Sequence, residues 1–177
     1  IHEAPEKFSV AGSIGAYIFH AKSFSTLIQD VKVTSPTPGV VNLYVLLQDG
    51  QIPGDEFLAD LADFLSADSI RPLTDNLNVL PAQVVSYNLD VDYYISRADA
   101  TLAAEIISAA DKAAQDFVSW QAAAIGRDIN PDELISRLKS AGVKRCVVRS
   151  PAFHVLDNFS VAKINNGLCT FAGLEDD

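Results

Sequence analysis

Residues 84–95, VVSYNLDVDYYI, alternate strictly: Val85, Tyr87, Leu89, Val91, Tyr93 and Ile95 fall on one side, and Ser86, Asn88, Asp90 and Asp92 on the other. Successive side chains of a strand point to opposite faces, so this stretch predicts one long strand with a buried face and a wet one. A sheet built on such a strand needs cover on one side only. Tyr94 falls opposite Tyr93, so one of the two is expected to reach solvent or a partner.

The segments that follow can supply the cover. Residues 101–121 are rich in Ala and place Leu102, Ile106, Ala110, Phe117 and Trp120 near helical spacing, which predicts a long helix packed on one face. A second helix is predicted from INPDELISRLKSAG, with Asn130 as cap, Pro131 at the first helical position and Glu133 reaching back to the cap amide. Leu134, Ile135, Leu138 and Ala141 form its apolar face, and Gly142 is suited to end it in a left-handed conformation. A strand is expected at 143–149. For SVAKINNGLCTFAG the Asn166-Gly167 pair leaves open a hairpin or a bulged strand.

The first half of the chain repeats this vocabulary. VVNLYVLL, residues 40–47, is apolar on both sides and predicts a well-buried strand ending at the Asp49-Gly50 turn. GDEFLADLADFL, residues 54–65, puts Phe57, Leu58, Leu61, Phe64 and Leu65 on one helical stripe, with Asp55 and Glu56 at the favourable N-terminal end. DVKVTSP at 30–36 and RCVVRSP at 145–151 each follow a helix-like segment and end in Ser-Pro, at Ser35-Pro36 and Ser150-Pro151. Proline has no amide for a ladder, so each pair is read as a turn that closes a strand. Two similar helix-strand-strand units would result, and whether they descend from a duplication stays open.

Taken together, the order is helix, strand, strand, helix, strand, long strand, helix, helix, strand, strand, which predicts an α+β fold with helices beside mixed sheets. The expected organisation is a flexible tail over 1–10, a first α+β subdomain over 11–83, and a second over 84–177 that starts with the long strand.

At 177 residues with 49% hydrophobic content, the chain can bury a substantial core. No apolar run approaches the roughly 20 residues of a membrane helix, and no basic-then-apolar leader precedes the first helix, so a soluble chain with no membrane partner is expected. A net charge of −10 opposes phosphate backbones, which argues against a nucleic-acid partner. Lys144, Arg145 and Arg149 alternate along a predicted strand and read as solvated positions. Two cysteines, Cys146 and Cys169, cannot make a disulfide framework and fit a reducing compartment. Met is absent throughout, position 1 included, as expected of a piece of a longer product.

Chemistry is hard to find in these residues. His2, His20 and His154 show no ligand spacing among themselves or with carboxylates, and structural roles are expected for them. Cys146 shares an alternating strand with Val148 and reads as a small buried hydrophobe. AGSIGAY, residues 11–17, lacks the spacing of a phosphate loop and reads as flexible entry into a helix. The aspartates of DEFLADLADFLSAD recur at helical intervals on the wet side, unlike a calcium loop. No catalytic, cofactor or metal residue is assigned.

A specific pattern links these pieces: SPTPGVVNLYVLLQDG, an amphipathic helix, then RPLTDNLNVLPAQVVSYNLDVDYYI, preceded by GSIGAYIFHA and followed by RADATLAAE and GRDINPDELISRL. In this order and spacing it resembles the baseplate J-like family of contractile-tailed bacteriophages and related injection machines. The resemblance implies a structural wedge component of a virion tail baseplate, made in a bacterial host's cytoplasm. It would bind other wedge and hub proteins, in copies related by six-fold symmetry, with no cofactor and no catalysis. Within the pattern Arg71, Pro72, Leu73, Thr74 and Asp75 are expected to form a corner: Pro72 ends the preceding helix and Thr74 or Asp75 bonds the backbone that starts the next strand. Arg71 would pair with Asp75 or with another subunit. Two other readings stand beside this one: a small hydrolase, which needs the histidines and acids to converge, and a ligand-binding module using Tyr93, Tyr94 and Trp120 in one exposed patch.

Overall fold

The computed structural model describes residues 5–67 and 76–176, with side chains from Ile14 onward. Arg71, Pro72, Leu73, Thr74 and Asp75, the expected corner, lie outside the described residues, as does His2. The elements follow the order read from the sequence, and the fold is α+β with two separate sheets. Two compact units are formed: residues 1–83 with 123–125, and residues 84–122 with 126–177. Among the described residues no helix is long and apolar enough to cross a membrane.

The first unit holds α1 (Pro5–Phe24), β1 (Ile28–Thr34), β2 (Val40–Leu47), α2 (Asp55–Leu65) and β3 (Asn76–Pro81). α1 takes in residues 5–17, so both the expected tail from Pro5 and the AGSIGAY stretch are helical. β2 is the central strand, antiparallel to β1 and parallel to β3. Its inward residues Val41, Leu43 and Val45 meet Tyr17 and Ala21 of α1 and Leu61 and Leu65 of α2. Tyr44 and Leu46, on the other side of β2, are buried as well, in keeping with a strand apolar on both faces. The turn after β2 places Asp49 at φ 57° and Gly50 at φ 67°, the left-handed region that Asp and Gly tolerate best.

The second unit holds β4 (Gln83–Ser96), α3 (Ala103–Gln121), α4 (Pro131–Ser140), β5 (Arg145–Ser150) and β6 (Ser160–Glu175). β4 is central, with β5 antiparallel on one side and β6 on the other. β6 runs in the direction of β4, because the contacts Asn88–Asn165, Tyr93–Phe171 and Arg97–Asp176 advance together along both strands. The alternation of β4 is obeyed: Tyr87, Leu89, Val91, Tyr93 and Ile95 are buried against Ala110, Ala114 and Phe117 of α3 and Leu134 and Leu138 of α4.

Several expectations are corrected. Of the two alternatives left open for SVAKINNGLCTFAG the hairpin is set aside: β6 is one strand through Asn166-Gly167, beside β4. Leu102 does not join the buried stripe of α3: it lies in a 3₁₀ turn before the helix, where the spacing differs, and is 48% exposed. Trp120 does join that face, partly buried and packed against the core. Asn130 caps α4 as expected, its Oδ1 accepting from Asp132 N–H at 3.0 Å, but Glu133 turns away from the cap to accept from Arg137 Nε at 2.8 Å. The two helix-strand-strand runs also pair differently. β1 and β2 are neighbours, whereas β5 and β6 lie on either side of β4.

Candidate interaction surface

The wet face of β4 is where the second unit gathers its charge. Between Asp90 and Val91 the register with β5 slips by one residue, so Arg149 and Ser150 together oppose Asp90. Such a bulge re-aims a side chain. Arg149 donates from Nε and Nη2 to both oxygens of Asp90, at 2.9 and 2.6 Å, and from Nη1 to Asp92 Oδ2 at 2.8 Å. These hydrogen bonds hold both carboxyl groups below the ordinary range and push the guanidinium up.

One step along the sheet, Arg145 lies 4.1 Å above the ring of Tyr94 and grips Glu175 of β6 with Nε and Nη2, the Nε contact to Oε2 being 3.0 Å. Glu175 is lowered and Arg145 raised by that pairing. Arg97 meets Asp176 at 2.7 Å. Arg145 and Arg149 are therefore not merely solvated: they tie β5 to β4 and β6 across the open face. Asp90, Asp92 and Glu175 are each more firmly ionised than an ordinary carboxylate, so none of the three is a proton donor or acceptor near neutral pH. The face can present a fixed pattern of charge to another surface, which confers orientation and specificity more than affinity.

The residues singled out as strand-ending turns have different surroundings. Ser35 and Pro36 are exposed just past the end of β1, with Ser35 Oγ donating to Thr37 O at 3.3 Å. Pro151 is buried, and Ser150 Oγ donates to Asn88 O at 2.8 Å. The Ser150–Pro151 peptide is cis.

The structure does not bring the remaining candidates together. His20 meets Phe19 edge to face, and His154 is an exposed residue whose backbone bridges Ile129. Among the described residues neither imidazole hydrogen-bonds a Cys, Asp or Glu, and no group of three or more His, Cys, Asp or Glu is placed to hold a metal. Burial raises the Cys146 thiol and pushes Cys169 up to about 11. Tyr93 is in the core, Tyr94 lies on the opposite face under Arg145, and Trp120 is flanked by Arg127 and Arg137, so the three aromatics share no patch. The bulge that aims Arg149 was not foreseen. Its signal in the sequence is slight: two acids two residues apart on one strand, and an arginine on another.

Residues 9–81 match the family described as Baseplate J-like central domain, and residues 89–166 match the Baseplate J-like protein C-terminal domain. The gap between the two matches contains the boundary between the compact units at 83 and 84. The chain is 30% identical over 163 residues to Baseplate protein J of Escherichia phage P2, covering 92% of this chain and 53% of that protein. It thus spans about half the length of that relative. A chain in the six-fold symmetrised cryo-EM structure of the anti-feeding prophage baseplate shares the fold, with a TM-score of 0.60 at 14% identity, over 84% of this chain and 36% of that one. Two successive family matches and a relative aligned along nearly the whole sequence lead to one conclusion: this chain belongs to the baseplate J-like family.

Proposed function

We propose that the chain is a structural part of a contractile-tail baseplate, acting through protein contacts as a wedge component and not through catalysis. The observation that carries this reading is the succession of central and C-terminal family domains along one chain, in the order in which the two compact units occur. The chemistry of the second unit supports it: Arg145, Arg149, Asp90, Asp92 and Glu175 pair with each other across an open sheet face. Neighbouring wedge and hub proteins are the partners this reading requires, arranged in a six-fold ring at the tip of the virion tail after synthesis in the bacterial host.

The test is genetic and structural. Deleting the coding segment from a producing phage or prophage should leave tails without complete baseplates, and mass spectrometry should find the chain in the parent particles. Normal contractile baseplates assembled without it would end the proposal.

A further inference from the structure

The two edges of the β5-β4-β6 sheet differ in kind. β5 carries Arg145 and Arg149 and stops at Pro151, all features that discourage another strand from pairing. β6 is the opposite edge, and its residues 164–170, INNGLCT, contain no charge and no proline. Beside this uncharged edge lies an open groove of about 560 Å³ between α3 and β6, with Leu89, Val118, Ile164, Leu168 and Cys169 among its walls. Leu168 is 66% exposed there. The groove's carboxylate is Asp111 of α3. Among the described residues Asp111 forms no ion pair, as is also true of Asp99 and Glu105 of the same unit, and it is Asp111 that lines the groove.

We propose that the outer edge of β6 over residues 164–170 receives an extended segment of another baseplate protein, which adds a strand to the sheet. That segment lays an apolar side chain in the groove beside Leu168 and sets a basic side chain against Asp111. Main-chain hydrogen bonds to a free edge supply affinity in this mode, and alternate side chains supply selectivity. A second copy of this chain fits less well. Pairing like with like would bring two Asp111 carboxylates to one interface in a protein of net charge −10.

The proposal rests on the baseplate reading, and the experiment separates the two. Hydrogen exchange is measured on amides 164–170 in the isolated full chain and in purified baseplates that contain it. Protection should rise on the order of tenfold or more on assembly, with the isolated chain monomeric and its β6 edge exchanging fast. Leu168→Asp and Asp111→Lys, both at exposed positions, should each reduce incorporation about tenfold while leaving the thermal midpoint of the isolated chain unchanged. Incorporation of the parent chain without added protection, or normal incorporation of both variants, overturns the docking edge but not the baseplate reading. Concentration-dependent dimerisation that protects the same amides overturns it in favour of self-pairing. Failure of the parent chain to enter baseplates overturns both.

Discussion

Arg149 holds Asp90 by two parallel hydrogen bonds across the β4–β5 bulge, and the same guanidinium reaches Asp92. Hydrogen bonding from Arg149 lowers both carboxyl groups from their ordinary value of 3.8. A depressed carboxyl pKa stabilises the fold above the unfolded value, and that contribution is lost as pH falls through the folded value. Arg149→Met should therefore flatten the loss of thermal midpoint as pH falls below about 4, and at neutral pH lower it by no more than about 2 °C. Thermal unfolding across that range, repeated in high salt, provides the check; an unchanged acid limb would show that the clamp has no energetic consequence.

Phe117 is fully buried, while Leu102, on what the spacing reads as the same helical stripe, is 48% exposed. Phe117→Ala should cost about 3–5 kcal/mol. Leu102→Ala should stay within about 0.5 kcal/mol. Denaturant unfolding of the two variants decides; comparable losses would restore Leu102 to the core.

Asn130 caps α4 alone, since Glu133 pairs with Arg137 instead of the cap amide. Asn130→Ala should lose about 1 kcal/mol, and Asn130→Asp almost nothing. Glu133→Ala should lose only about 0.3 kcal/mol, the scale of one helical i,i+4 pair. If the Glu133 loss matched that of Asn130, a reciprocal capping box would be the better description.

A Cβ at Gly167 would come within 2.6 Å of Ile164 Cδ1 and 3.3 Å of Leu89 Cβ. Gly167→Ala should destabilise by about 1–3 kcal/mol. Because the nearest obstacle is the end of a side chain, Ile164→Val in the same molecule should recover part of that loss. A double-mutant cycle with no coupling between 164 and 167 would contradict this packing.

Burial pushes Cys169 up to about 11, with the Asp111 carboxylate adding to the effect. Alkylation by iodoacetamide at about pH 8 should be about 100-fold slower than for an unperturbed thiol, and should reach the ordinary rate in denaturant. Fast labelling of folded protein would show a thiolate that the structure does not support.

Local periodicity made most of the elements legible. The alternation over 84–95, the stripes of 54–65 and 131–141, and the turn residues Asp49, Gly50 and Gly142 each depend on how a residue suits its own stretch of backbone. The family pattern was legible for the same reason, being carried by order and spacing along the chain. The corner from Arg71 to Asp75 was read from that pattern and lies outside the described residues.

What tertiary structure decided is partnership. Nothing in RCVVRS or SVAKINNGLCTFAG says that β5 and β6 will flank β4, because strand pairing is a choice among distant segments and closing long loops costs little extra once the chain has collapsed. The bulge that points Arg149 at Asp90 and the uncharged edge of β6 beside Asp111 both follow from that choice. The amino-acid order determines which faces are apolar; only the assembled sheet determines which of them meet and which edge is left open.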